Sequence, residues 1–121
     1  MLLPDILAWD ILQMLEFEDI MFLPPSIDCD RRGLLPPLTL NLAGLNFTLT
    51  PYDYTFEWPI EGAKIRCVSA MLPFGIEQHD EIVLGSAFLR AFHSVFDLDR
   101  KTIGCMLPSS YCTRRAANVY V

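Results

Sequence analysis

The first thirty residues contain no lysine, arginine or histidine, and the whole chain has 9 Lys+Arg against 15 Asp+Glu, a net charge of −6. Binding to phosphate backbones needs clustered basic side chains, so nucleic acid is excluded as a partner class. The acidic residues of this opening quarter (Asp5, Asp10, Glu16, Glu18, Asp19, Asp28 and Asp30) read as a solvated face. Metal-site spacing is also missing. Cys29, Cys67, Cys105 and Cys112 lack the paired short intervals of zinc ligands, and His79 and His93 stand at unrelated positions. No metal and no cofactor is expected. No serine or cysteine sits beside a basic partner as an activated nucleophile. Internal repeats and low-complexity segments are absent. No targeting segment is visible either: Pro4-Asp5 interrupts the apolar start and no basic segment precedes it, so a signal peptide is not expected. The uncharged run 33–52 contains Pro36, Pro37, Asn41 and Asn46 and alternates with period two, which excludes a transmembrane helix.

What is present suits a packed domain. The 121 residues are 52% hydrophobic and 20% charged, enough apolar material for one core or for part of a larger one. Residues 4–15 place Ile6, Leu7, Ile11, Leu12, Met14 and Leu15 at helical spacing, with Pro4 suited to the first turn and Asp5 to the positive helix end. Pro24-Pro25 ends regular structure and leaves 26–35 as a loop. Residues 38–42 alternate cleanly, Ala43-Gly44 turns the chain and 47–49 returns, a hairpin signature. Pro51-Tyr52-Asp53-Tyr54 reads as a turn or a single helical turn. Strands are expected at 55–58 and 65–71, and a polar loop at 73–81. A short apolar strand at 82–84 then ends at Gly85. Ser86 suits the N-cap of a short helix over 86–92, and a hairpin follows at 94–98 and 102–107 around Asp99-Arg100-Lys101. Many short strands with two short helices indicate a mostly β domain. Cys29 and Cys67 flank strand-like segments far apart in sequence, which suits a disulfide, and Asn46-Phe47-Thr48 has the form of an N-glycosylation acceptor. Together they lean toward an oxidising, secretory context.

The order of short motifs resembles the C-terminal lobe of pepsin-like aspartic peptidases. A helix at 6–15 is followed by Cys29, Leu35-Pro36, Leu49-Thr50-Pro51 with Tyr54, and Cys67-Val68-Ser69. Val83-Leu84-Gly85, Phe88-Leu89-Arg90, Val95-Phe96-Asp97 and Ile103-Gly104 complete the series. The resemblance runs from about residue 3 to 104, so 1–107 is expected to be a partial lobe of that bilobal fold and 108–121 a tail. It implies that Leu84-Gly85 thread beside the loop carrying a catalytic aspartate, with glycine required because two backbones meet closely. It also implies that Phe74, Ile76 and Val83 face the substrate cleft. In such enzymes two carboxylates share one proton and activate a water, each from an Asp followed by Thr or Ser and then Gly. None of the nine aspartates has that sequel, and by resemblance the second triplet belongs just before Met1. Ser86 stands where the family usually has Asp, and Cys105 and the tail run past the usual family terminus, with a Cys105–Cys112 pairing left open.

The remaining carboxylates have plainer readings. Asp28 and Asp30 around Cys29, and Asp80 and Glu81 beside His79, are expected to be solvated loop charges, and Asp97 to pair with a base such as Arg90. The resemblance thus implies a fragment of an aspartic endopeptidase, inactive as this chain alone. In the intact parent, the missing N-terminal lobe and a peptide or protein substrate would be its partners. A secretory, extracellular or lysosome- or vacuole-like compartment would be its location. The alternatives are a non-catalytic peptide-binding module and a dimer in the manner of retroviral proteases. A stable monomer in sedimentation favours the module and a dimer favours the third reading. Aggregation, the expected behaviour, marks an orphaned lobe with an exposed apolar face.

Overall fold

The computed structural model describes residues 1–18, 24–60, 62, 64–73, 82–106 and 117–119. Within them the chain is mostly β, with short helices between small sheets. β1 (Leu2–Leu3) leads into α1 (Asp5–Met14), then β2 (Ser26–Asp28) and a 3-10 segment, Cys29–Leu34. The hairpin β3 (Leu38–Leu42) and β4 (Leu45–Leu49) precedes a single turn, α2 (Pro51–Tyr54). β5 (Thr55–Ile60), β6 (Lys64–Ser69) and β7 (Leu72–Pro73) follow. α3 (Ser86–Ala91), β8 (His93–Asp97), β9 (Thr102–Met106) and β10 (Ala117–Val119) complete the order. β10 pairs antiparallel with β9, so part of the expected tail joins a sheet.

The 3-4 periodicity of α1 selects which of its apolar residues are buried. Ala8, Leu12 and Leu15 face the core and Ile11 packs against it, whereas Ile6 and Met14 are exposed. The helix begins one residue later than the sequence suggests, with Pro4 as its cap and the Pro4 carbonyl accepting the Ala8 amide at 2.8 Å. Its C-terminal end closes by backbone geometry, the amides of Glu16 and Phe17 donating to the carbonyls of Gln13 and Leu12. Glu16 takes the left-handed conformation there, at φ 57.

Ser26–Leu35 is not the loop the prolines suggest. β2 pairs antiparallel with β6, and the 3-10 segment follows at once. Tertiary pairing overrides the breaker signal here, because Pro24-Pro25 only has to end the preceding segment. Cys29 and Cys67 form a disulfide with Cα atoms 4.9 Å apart, joining the 3-10 segment to β6. The turn at 51–54 becomes helical because Asp53 Oδ2 accepts both the Thr50 amide and the Thr50 hydroxyl at 2.7 Å, with Pro51 in the first helical position. Three α-helices therefore stand among the described residues where the sequence suggests two. Ser86 is the first residue of α3 rather than its cap. Gly85 holds the cap position, and its carbonyl accepts the amides of Phe88 and Leu89.

One core joins these pieces. Leu3, Ala8, Leu15, Phe47, Leu49, Tyr54, Met71, Phe88 and Phe92 form its buried cluster. Phe47, Phe88 and Phe92 meet in tilted and edge-on contacts, with centroids 4.7 to 5.5 Å apart. Tyr54 is fully buried and its hydroxyl donates to the Pro36 carbonyl at 2.7 Å, which fixes the start of the hairpin. Burial raises the Tyr54 pKa from 10.0 to about 12. Below pH 10 the phenol is neutral in both states and contributes no pH dependence. Between pH 10 and about 12 only the unfolded chain ionises, so stability falls as pH rises through that window. With free thiols alkylated, denaturant midpoints taken across this range show that decline, and Tyr54→Phe removes it.

Candidate functional site

β1 lies at the centre of the candidate site. It pairs parallel with β7, Leu2 against Leu72 and Leu3 against Pro73, and bridges Val83 on its other edge. The Leu2 amide donates to the Val83 carbonyl at 3.0 Å and the Val83 amide returns to the Leu2 carbonyl at 2.9 Å. Leu72 donates to the Met1 carbonyl at 3.0 Å, and the Met1 amine donates to the Ala70 carbonyl at 2.7 Å. Three separate stretches of chain are thus laced together around Met1 to Leu3. Residues 82–84 hold this place through one bridge at Val83, not as the full strand that the apolar triplet suggests. Gly85 follows directly, and a Cβ there would stand 3.3 Å from the Met1 nitrogen and 3.7 Å from its Cα. The crowding comes from backbone, which cannot swing aside as a flexible side chain can.

A groove of about 630 Å³ opens beside this lacing. Ile82, Val83, Leu84, Phe88, Phe96 and Ile103 contribute to its lining, and among the described residues no carboxylate does. Val83 is 43% exposed there, whereas Phe88 is buried beneath. Cys105 also lines the groove with a free thiol, its Sγ 3.9 Å from Ser94 Oγ. This surface can receive apolar side chains, and its described lining carries no acid–base pair. Phe74 and Ile76 lie outside the described residues, as do His79, Asp80, Glu81 and Cys112; Val83, the described one of the three expected cleft residues, lines the groove. No group of three potential metal ligands occurs among the described residues.

Charged residues elsewhere build supports. Asp28 is exposed as expected, yet it is paired: the Arg66 guanidinium reaches Asp28 at 2.5 Å and Glu18 at 2.7 Å, and contacts Ser26 through its hydroxyl and carbonyl at 3.3 Å. This ties the strand pair β2–β6 to the segment after α1. Arg32 reaches the Thr55 carbonyl at 2.8 Å and lies 4.4 Å over the Tyr52 ring. Asp97 does not pair with Arg90, which stays exposed. It accepts the Arg100 amide at 3.0 Å and faces the Arg100 guanidinium at 4.0 Å, because the turn after β8 brings the third residue on back to it. Arg66 and Arg32 carry no local sequence signal for these roles; partners up to 48 residues away define them.

Comparison with known proteins agrees with this geometry. A family model described as eukaryotic aspartyl protease matches residues 4–107. The vacuolar aspartic protease of Candida albicans is 45% identical over 81 residues, covering 65% of this chain and 18% of that protein. Vacuolar protease A of Aspergillus fumigatus is 43% identical over 83 residues, covering 65% of this chain and 19% of its own. Cathepsin D of Dictyostelium discoideum is 34% identical over 77 residues, covering 64% of this chain and 20% of that protein. The chain spans about a fifth of the length of these curated relatives.

Proposed function

The chain belongs to the eukaryotic aspartyl protease family, and from that premise we propose that it is the bracing part of a C-terminal lobe, inactive alone and part of a peptide-bond hydrolase when complete. The observation that carries this reading is the lacing of β1 between β7 and Val83, with Gly85 against the Met1 backbone. A loop entering at Met1 would be held on two edges and underneath. Such rigidity is what a pair of carboxylates needs if one is to stay protonated while the other takes a proton from water. The chain supplies the support. Both carboxylates come from outside it, one of them on a separate N-terminal lobe.

Phe74, Ile76 and Val83 are the residues proposed to meet a peptide or protein substrate, and Leu84 and Gly85 those that steady the catalytic loop. The apolar groove supports side-chain binding, since its described lining carries no charged side chain. The disulfide and the names of the vacuolar relatives support a secretory route to a vacuole- or lysosome-like compartment. Because the described lining of the groove is apolar, a non-catalytic peptide-binding role is the second reading.

Joining the chain in frame behind the upstream part of the Candida albicans vacuolar aspartic protease tests the first reading. The chimera is expected to hydrolyse a denatured protein at acid pH with inhibition by a statine-type peptide, and the chain alone is expected to show no such cleavage. Statine-sensitive cleavage by the chain alone would overturn the proposal. So would a soluble, disulfide-bonded chimera that binds no statine-type peptide; the second reading would then stand.

A further inference from the structure

We propose that the pocket where α3 meets β5, β6 and β7 is a second binding site, one that takes a small carboxylate carried on an apolar body. The pocket has a volume of about 430 Å³, and Pro24, Phe56, Ser69, Leu72, Ser86 and Arg90 contribute to its lining. Ser86 and Arg90 stand four residues apart on α3, so their side chains share one side of the helix. Phe88 and Leu89, which lie between them in sequence, line the apolar groove instead. The helix thus separates two surfaces of different chemistry.

The charge on Arg90 is what selects the ligand. Arg31, Arg32, Arg66 and Arg100 each face a carboxylate of the chain. Arg90 does not, although the chain carries a net charge of −6. Neither its side chain nor that of Ser86 shares a hydrogen bond or ion pair with another described residue. No carboxylate stands in the described lining of the pocket.

The rest of the lining divides into wall and donor. Ser69 belongs to the wall: its hydroxyl donates to the Met71 carbonyl and accepts the Met71 amide, both at 3.0 Å. Ser86 is exposed and its hydroxyl is open to donate. A guanidinium beside a hydroxyl offers a carboxylate charge-assisted hydrogen bonds. Phe56, Leu72 and Pro24 offer the attached apolar group a surface whose burial is favourable. A bare anion would use only the first half of the site.

The full chain, with the Cys29–Cys67 disulfide formed, is titrated by heteronuclear NMR with N-acetyl-phenylalanine and separately with N-acetyl-phenylalanine amide. The acid is expected to cause saturable shifts at the Ser86 and Arg90 amides and at Arg90 Nε–H, with an affinity about tenfold above that of the amide. Arg90→Gln removes this preference, with amide signals away from the pocket unchanged. Ser86→Asp removes it as well, by setting a carboxylate of the protein's own beside Arg90. Equal affinity for acid and amide would overturn the proposal. So would an acid preference that survives Arg90→Gln, or shifts confined to Val83 and Leu84 in the groove. The titration involves no catalysis, so its outcome is separate from that of the chimera.

Discussion

Replacing Cys29 and Cys67 together by alanine lowers the unfolding free energy of the chain by about 4 kcal/mol. The two half-cystines are 38 residues apart, and the chain-entropy model assigns a loop of that length about 4 kcal/mol of denatured-state restriction. That is a large share of the roughly 5–15 kcal/mol available to a typical domain. Position matters as well as entropy. Cys67 is fully buried on β6, the central strand of its sheet, and Cys29 opens the 3-10 segment that carries Arg31 and Arg32. Alanine is the right replacement because serine would bury a hydroxyl at Cys67. Urea unfolding of both chains at equal pH measures the difference. A loss below about 1 kcal/mol would show that β2–β6 pairing and the Arg66 cluster hold this region without the bridge.

The second large effect belongs to Phe88. Its side chain is 1% exposed and packs on Phe47 and Phe92 while flooring the groove. Phe88→Ala therefore costs about 3–5 kcal/mol, the transfer term plus an unfilled cavity. Leu89→Ala, one residue on but 45% exposed, costs less than about 1 kcal/mol. Hydrogen exchange adds a local readout. Phe88 stands three residues after Gly85 and its amide donates to the Gly85 carbonyl, so its loss should also speed exchange at the Leu2 and Val83 amides that lace the site. Equal costs for the two substitutions would contradict the placement of the core.

Elements whose cause is local were legible from sequence. The β3–β4 hairpin follows from alternation around Ala43-Gly44, which take φ 50 and 80 as a tight two-residue turn requires. The short helix after Gly85 and the β8–β9 hairpin were equally plain, as was the disulfide. What was not legible depends on distant partners. The apolar residues of α1 do not reveal which of them face inward until β7 packs against the helix, and β2 exists only because β6 lies beside it. Arg66 looked like any strand cation, and its value comes from Glu18 and Asp28 brought together by that pairing. For the site, motif order singled out Val83, Leu84 and Gly85; the structure sets Val83 and Gly85 against the Met1–Leu3 segment, and the roles of the three belong to the proposal above. It overstated 82–84 as a strand, because apolar character alone does not distinguish a single bridge from a ladder.

At the heart of the proposal, this chain braces a catalytic loop through a close backbone contact that a side chain at Gly85 would crowd. Gly85→Val in the chimera, assayed for statine-sensitive hydrolysis at acid pH beside its parent, tests it most directly. A Cβ already reaches 3.3 Å from the Met1 nitrogen, and branching adds bulk that must displace backbone. Displacements on the order of 1 Å near such chemistry cost roughly 100-fold in rate. The expected result is a fall of that order in kcat/KM with the Cys29–Cys67 disulfide still formed, and unchanged activity in a soluble Gly85→Val chimera would contradict the bracing role.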